Sequence, residues 1–162
     1  MNKKLKSNKD FIKEIELQIL KKITSDESIT KNYDLLMSIK GIGLINAAMT
    51  IAYTENFTAF ENARSYAVYV GVVPFEYSSG TSIKGKKKVS PLANKELKQE
   101  LNQAARSAIQ HNSEMRAYAM RLTENKKHYC IILNNVKFKL ITRMFSVVKR
   151  CEYYVDNYKK SA

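Results

Sequence analysis

The glycines and prolines of this chain all lie in one central stretch. The chain has five glycines and two prolines, and they fall between Gly41 and Pro91. These residue types interrupt helices and form tight turns more readily than any others. Residues 1–40 and 92–162 contain neither type, which favours long helices on both sides and disfavours a turn-rich β-sandwich. The sequence therefore predicts an all-α fold with one irregular segment in its centre.

Positive charge is concentrated in the second half of the chain. The 162 residues include 28 Lys and Arg against 15 Asp and Glu, a formal net charge of +13. Residues 81–162 hold 18 basic and 6 acidic side chains, which is a net charge of +12. An imbalance of this size predicts a polyanionic partner, with nucleic acid favoured over a membrane surface. Solubility through surface lysines is the alternative explanation.

The first 30 residues form a predicted helical arm or linker, and residues 31–160 form the predicted main domain. Isoleucines recur at helical spacing along the arm, at Ile12, Ile15, Ile19 and Ile23. The resulting amphipathic helix either packs on the main domain or projects as a coiled-coil-like arm. Charges interrupt every apolar run, so neither a signal peptide nor a membrane span is predicted. We expect a cytoplasmic, nucleoid-associated protein that does not bind membranes.

Gly41, Ile42 and Gly43 separate two apolar segments within residues 35–53. This spacing is typical of a helix-hairpin-helix, in which glycines permit a sharp turn whose N–H groups reach a phosphate. The positive end of the second helix dipole and the neighbouring Lys40 favour the same contact. We therefore predict that Lys40 and Gly41–Gly43 contact the DNA backbone. An ordinary helical hairpin with glycine in its turn is the alternative.

Capping chemistry predicts where several helices begin. Asp34 is a candidate N-cap for a short helix over Leu35–Ser38. Ser90 and Pro91 are residue types favoured at the start of a helix, and Ser113 is a candidate cap for the helix that follows.

A long basic helix is predicted at the C-terminal end, from about His128 to Tyr158. Lys139, Arg143 and Arg150 share one face of this helix. Such a ridge can follow a phosphate backbone, although any solvated helix face also carries charges. We predict that the three side chains contribute to DNA binding.

The central segment contains a candidate nucleophile, a serine in a Ser-Ser-Gly turn, followed by the lysines Lys84, Lys86, Lys87 and Lys88. A loop of this length is usually functional, and a flexible surface loop is the alternative. A serine hydroxyl attacks a phosphodiester only when a base activates it and cations neutralise the developing charge. The lysines meet the second need. No base or metal-ligand spacing meets the first, so no metal or cofactor is predicted in this chain.

Several short motifs, in their order and spacing, resemble the C-terminal domain of the insertion sequence 110/116/902 family of transposases, which are also described as RNA-guided recombinases. Gly-Ile-Gly is followed by F-x-x-A-R at residues 60–64, Y-x-G-x-x-P at residues 69–74 and then Ser-Gly. N-K-x-L follows at residues 94–97 and H-N-x-x-x-R-x-Y at residues 111–118. Each motif is weak alone, and their order over roughly residues 35–150 makes the resemblance specific.

The resemblance implies one half of a two-part enzyme. Family members carry an RNase-H-like domain whose acidic residues hold Mg²⁺, and a coiled-coil region joins it to a helical domain. The helical domain supplies a serine that forms a covalent phosphoserine link to DNA. The serine before the glycine corresponds to Ser79, with Ser78 as the alternative. Lys84 and Lys86–Lys88 are then expected to steady the bound strand.

This sequence departs from the family pattern in two respects. No part of these 162 residues resembles the acidic domain to which Mg²⁺ belongs in the family, and Ala93 stands where the family usually has glycine. We therefore expect a truncated or isolated domain that binds DNA without cutting it. Its expected partners are DNA, a guide RNA, and further copies of itself or a full-length transposase. A non-catalytic regulatory protein that pairs with such a transposase and blocks it is the alternative, and a membrane-binding helical protein is disfavoured by the absence of tryptophan.

Overall fold

The computed structural model describes residues 3–74, 78–79, 83–84 and 89–156. Within these ranges the chain forms seven helices: α1 (Lys3–Thr24), α2 (Glu27–Met37), α3 (Leu44–Tyr53), α4 (Ala63–Tyr69), α5 (Lys95–His111), α6 (Ser113–Glu124) and α7 (Tyr129–Arg150). Two short strands, β1 (Ser78–Ser79) and β2 (Ile83–Lys84), pair antiparallel between α4 and α5. The prediction of an all-α fold is confirmed.

Helix α7 lies at the centre of the core and packs against α2, α4, α5 and α6. Its apolar stripe is buried along most of its length, at Ile132, Leu133, Val136, Leu140, Ile141, Met144 and Val147. Helix α5 supplies the facing surface through Leu97, Leu101, Ala104, Ala105 and Ala108. Burial of each large apolar side chain contributes about 1.5–3 kcal/mol. The alanines leave room for another part of the chain to approach α5 closely.

An aromatic cluster fixes α4 on this core. Tyr66 is fully buried, and its ring lies 5.2 Å from that of Phe60 and 5.7 Å from that of Phe145, measured between ring centroids. Burial raises the pKa of Tyr66 to about 12, so the phenol stays neutral at physiological pH. Edge-on and tilted ring pairs of this kind add to the area they bury. The end of α4 is therefore a fixed point from which the central segment starts.

Two predicted helix starts are wrong because another residue caps the helix. Asp26 accepts a hydrogen bond from the Ile29 amide at 2.9 Å and starts α2, which places Asp34 inside that helix. Asn112 accepts one from the Met115 amide at 2.9 Å, so it, and not Ser113, caps α6. Both caps have extended backbone, which lets a side-chain oxygen reach the amide three residues ahead.

The predicted start of α5 at Ser90 and Pro91 is also wrong. Asn94 caps this helix, and its side chain accepts a hydrogen bond from the Leu97 amide at 3.0 Å. Ser90 instead accepts one from the Leu92 amide at 3.2 Å, within a turn that precedes the helix. The chain returns to α4 before α5 begins, because the Asn94 amide donates to the Tyr69 carbonyl at 3.0 Å.

Helix α7 is long but ends earlier than predicted. Its last residue is Arg150, and Cys151 adopts a left-handed conformation with φ 54°. A residue of this conformation ends a helix and turns the chain away from its axis. Residues 151–156, hereafter the tail, leave α7 at this point and return towards the core. The remaining residues up to Tyr158 lie outside the described part of the chain.

Helix α1 packs on the core through its last turns. Ile23 is buried there and α1 contacts α2 and α3, whereas Phe11, Ile12 and Leu17 are more than half exposed. The arm therefore combines both predicted arrangements, a packed end and a projecting amphipathic helix. Helix α2 starts at Glu27, inside the predicted arm. None of the helices in the described ranges is long and apolar enough to cross a membrane.

Candidate nucleic-acid interface

The turn between α2 and α3, residues 38–43, is hereafter the hairpin turn. The Ile42 amide donates to the Ile39 carbonyl at 3.0 Å, and Gly41 within this turn has φ 103°. A Cβ atom on Gly41 would lie 2.7 Å from the Ala108 Cβ and 2.8 Å from the Ala104 carbonyl oxygen. Glycine is required here for its backbone conformation and for the close approach to α5. Packing against α5 thus fixes the position of the hairpin turn.

Gly43 precedes α3 and leaves the N-terminus of that helix uncovered. Its φ of −115° is ordinary extended backbone, and a Cβ atom there would meet no described atom within 4 Å. It makes no side-chain capping bond within the described residues, whereas side chains cap α2, α4, α5, α6 and α7. The first N–H groups of a helix need acceptors and carry the positive end of the helix dipole. This end of α3 is therefore suited to an anion.

Lys40 lies on the hairpin turn and already has an anionic partner. Its ammonium group is hydrogen-bonded to Oδ2 of Asp156, and Oδ1 of the same carboxylate accepts from Nδ2 of Asn112 at 2.7 Å. The hydrogen bond from Lys40 holds the pKa of Asp156 below its usual value. The sequence separation of Lys40 and Asp156 is 116 residues, so the pairing exists only in the folded chain.

Tyr154 and Arg143 hold the tail beside the hairpin turn. The Tyr154 amide donates to Oγ of Ser38 at 2.9 Å, and the Arg143 guanidinium lies 4.7 Å from the centre of the Tyr154 ring. Arg143 also forms an ion pair with Glu114 at 2.6 Å, and its side chain is only 14% exposed. These contacts engage the Arg143 side chain within the chain and disfavour a contact of Arg143 with DNA.

The other two residues of the predicted basic ridge have different surroundings. Lys139 is half-buried, with its ammonium group 4.6 Å from the centre of the Tyr118 ring. Arg150 is exposed in the last turn of α7. Because Arg143 between them is largely buried, the three side chains do not form one continuous exposed ridge. Their contribution to DNA binding stays a prediction.

The segment of residues 71–94, hereafter the serine segment, has its two ends pinned together. Gly71 has φ 76°, and a Cβ atom there would lie 2.6 Å from the Ala93 Cβ and 3.0 Å from the Val89 Cγ1. Ala93, the departure from the family pattern, thus fits against a residue without a side chain. The two ends of the segment therefore meet at one place on the domain.

Ser79 lies in the short strand pair that the serine segment carries. In this pair Ser79 is opposite Ile83, and Ser78 is opposite Lys84. The side chains of these residues lie outside the described part of the chain, as do the whole of Lys86, Lys87 and Lys88. The predicted nucleophile therefore has a known place in the backbone, and its role stays a prediction.

Sequence reasoning missed a buried cation close to the base of the serine segment. Lys137 on α7 is 2% exposed, and its ammonium group donates to Oδ1 of Asn102 at 2.8 Å. Burial, together with the nearby Lys98, lowers the pKa of Lys137 to about 8. Lys98 lies beside Gly71, which connects this group to the base of the segment. The available signal was spacing, because Lys137 falls between Leu133 and Ile141 in the apolar stripe.

No group of three or more His, Cys, Asp or Glu side chains in residues 7–74 and 89–156 is arranged to hold a metal ion.

Comparison with known proteins identifies the family. The model of the transposase IS116/IS110/IS902 family matches residues 33–120, which include the hairpin turn, the serine segment and α5. No curated protein matches this chain significantly. The family match covers more than half of the 162 residues and contains the resembling motifs up to residue 118. The chain therefore belongs to the IS116/IS110/IS902 family of transposases.

Proposed function

We propose that this chain is the DNA-binding, serine-bearing domain of a transposase and that the hairpin turn contacts the DNA backbone. Family membership gives the chain a role in transposition. The main observation behind the proposal is that the N-terminus of α3 has no side-chain cap. It follows a turn that packs closely against α5 at Gly41. Backbone N–H groups and Lys40 would bind phosphates and not base edges, so this contact would not depend on sequence. Binding of this kind also implies association with the nucleoid.

The proposed contact makes binding depend strongly on salt. Each phosphate that a lysine or a helix end neutralises releases condensed counterions from DNA. The chain has a net charge of +13, and +12 of this charge lies after residue 80, which supports several such contacts. They include Lys139, Arg150 and the four lysines of the serine segment. Affinity for a duplex should therefore fall steeply between about 50 and 200 mM salt. Binding to anionic vesicles, the weaker alternative, should be slight under the same conditions.

Substitution at Gly43 tests the DNA contact without disturbing the fold. Gly43→Asp places a carboxylate where the phosphate would lie, and the new side chain can also cap α3. Since a Cβ atom at this position meets open space, the fold should be retained. We expect DNA affinity, measured by fluorescence anisotropy at 50 mM salt, to fall by about tenfold or more.

Gly43→Asn is the matched control, because it offers the same capping geometry without the charge. It should weaken binding less than Gly43→Asp. Equal affinity of the wild-type chain and Gly43→Asp would contradict a phosphate contact at this turn.

Within the complete enzyme we propose Ser79 as the nucleophile, with Ser78 as the alternative. Its oxygen would form a new bond to phosphorus as the bond to the leaving strand oxygen breaks, and the proton would pass to a base outside this domain. The base of the serine segment supports this role, because the two ends of the segment that carries Ser79 pack against each other at Gly71 and Ala93. The domain alone would bind DNA without cutting it, since Mg²⁺ belongs to the acidic domain.

A regulatory protein that blocks a full-length transposase remains the second candidate. Ser79→Ala distinguishes the two functions when the chain is combined with an acidic partner domain. Loss of strand cleavage with unchanged DNA binding supports the nucleophile, whereas inhibition that survives the substitution supports the regulator. An RNA competitor in the binding assay tests the proposed guide RNA.

We also propose that the projecting part of α1 joins this chain to a second copy or to a full-length transposase. Phe11, Ile12 and Leu17 expose apolar area along this helix, which supports such a contact. Ile12→Gln should lower the molar mass measured by light scattering, whereas Lys13→Gln should not.

A further inference from the structure

The tail brings a carboxylate onto the hairpin turn, and its partners together form a small anion site. Two donors converge there, the ammonium group of Lys40 and Nδ2 of Asn112. Each binds a different oxygen of Asp156. The site therefore joins the hairpin turn to the α5–α6 junction, two elements distant in sequence.

Asn112 is fixed in the orientation that the site needs. It is fully buried, and its Oδ1 accepts the Met115 amide at 2.9 Å as the cap of α6. With the oxygen engaged in this way, Nδ2 points at Asp156. A buried N–H donor that loses its acceptor destabilises the fold. When Asp156 leaves, water or an anion must accept this hydrogen bond in its place.

A phosphate oxygen meets the same requirements as the carboxylate. It is anionic, it accepts hydrogen bonds from neutral and charged donors, and Lys40 lies on the turn that faces DNA in the proposed function. The Lys40 side chain is 54% exposed and that of Asp156 is 28% exposed, so the pair is accessible from outside. A phosphate oxygen could therefore accept from the same two donors that now bind the carboxylate.

We infer that Lys40 and Asn112 form a binding site for one backbone phosphate of DNA, and that Asp156 occupies this site when DNA is absent. DNA then displaces the end of the tail on binding. This inference rests on the proposed DNA-binding function and adds to it an internal competitor.

The strength of the competition follows from the exposure of the pair. Exposed ion pairs typically change an equilibrium by about 1.4- to fivefold. The tail is therefore expected to adjust the affinity for DNA without preventing binding. Tyr154, anchored to Ser38 and Arg143, keeps the carboxylate close to the site and ready to return.

Neutralising Asp156 tests the competition. Asp156→Asn keeps the shape of the side chain and removes its charge, so the affinity for a 20-base-pair duplex should rise about two- to fivefold at 50 mM salt. Glu152→Gln is the matched control, since it removes one negative charge from an exposed tail residue. It should raise the affinity less than Asp156→Asn. Equal effects of the two substitutions would overturn the inference.

A double substitution locates the effect at Lys40. In the Lys40→Met background, Asp156→Asn should raise the affinity for DNA no more than Glu152→Gln does. The reason is that Asp156 no longer has the Lys40 ammonium group as a partner. A gain that persists in that background would place the effect elsewhere. Thermal unfolding of every variant shows that the compared chains are folded.

The unmodified chain gives a readout that needs no substitution. In NMR spectra the Asp156 amide should shift when the duplex is added, because the end of the tail is displaced, whereas the anchored Tyr154 amide should shift less. An Asp156 amide that stays unchanged while DNA binds would contradict displacement.

Failure of DNA binding is separately recognisable. If neither the wild-type chain nor Asp156→Asn binds the duplex at low salt, the proposed function and this inference both fall. A different result rejects only the competition by Asp156. In that case the wild-type chain binds DNA, Gly43→Asp lowers the affinity, and Asp156→Asn and Glu152→Gln have the same affinity.

Discussion

The hairpin turn and the serine segment use glycine in the same way but are held differently. Each has a glycine with positive φ pressed against a neighbour, Gly41 against Ala108 and Gly71 against Ala93. The hairpin turn is seated on the backbone of α5, whereas the serine segment is pinned where its two ends meet. The difference indicates that the proposed phosphate contact of the hairpin turn is built into the folded domain. The proposed nucleophile belongs to a segment that is joined to the domain where its two ends meet.

The largest effect on stability should come from disrupting the packing of the hairpin turn against α5. Gly41→Ala forces a side chain into left-handed backbone and against the Ala104 carbonyl, an atom that cannot move without shifting α5. The free energy of unfolding, measured in urea, should fall by roughly 3–5 kcal/mol. Gly43→Ala is the control, and its effect should stay within about 0.5 kcal/mol. Similar losses for both would show that the contact with α5 does not fix the turn.

The next effect should come from the buried cation near the base of the serine segment. The pKa of Lys137 is lowered from 10.5 to about 8, so between these values the unfolded chain holds the proton and the folded chain releases it. Stability should therefore rise with pH across this window, by about 2–3 kcal/mol.

Lys137→Met replaces the side chain with an uncharged one that is one atom shorter, and it should remove that rise. The comparison is the free energy of unfolding of wild type and variant at pH 8 and pH 10. Lys139→Met is the control and should leave the rise in place. A wild-type chain whose stability does not increase relative to Lys137→Met would contradict the lowered pKa.

The smallest of the three effects should come from the base of the serine segment itself. Gly71→Ala meets side-chain atoms of Ala93 and Val89, which can move more easily than backbone, so we expect a loss of about 1–2 kcal/mol. Ala93→Gly in the same chain should recover part of the loss by removing the closest contact. No recovery would mean that backbone strain at Gly71, and not crowding, dominates.

The sequence predicted the fold class and the family, because both depend on local patterns. Apolar spacing and the position of the glycines indicate helices around a central segment, and the motif order identifies the family. Helix starts were harder, because Asp26 and Asp34 are equally good caps and packing decides between them. Leu35 and Leu36 are buried against the rest of the core, which keeps Asp34 within α2.

The contacts at the candidate site could not be predicted in the same way. Lys40 and Asp156 are far apart in sequence, and neither residue has a local pattern that indicates the other. Arg143 was placed on a basic ridge because its spacing fits one, yet Glu114 and Tyr154 surround it in the folded chain. Charges of this kind acquire their roles from the tertiary structure. The role of Ser79 still depends on the family resemblance.

The packing of Gly41 against α5 has a consequence for the folding of the domain during its synthesis. During synthesis α2 and α3 emerge long before Ala104 and Ala108, so the turn between them cannot reach its final shape until α5 has formed. Contacts between residues this distant in sequence form late in folding. The proposed phosphate contact of the hairpin turn should thus be absent from nascent chains and from fragments that end before α5. Binding of DNA at this turn would then report that α5 has formed.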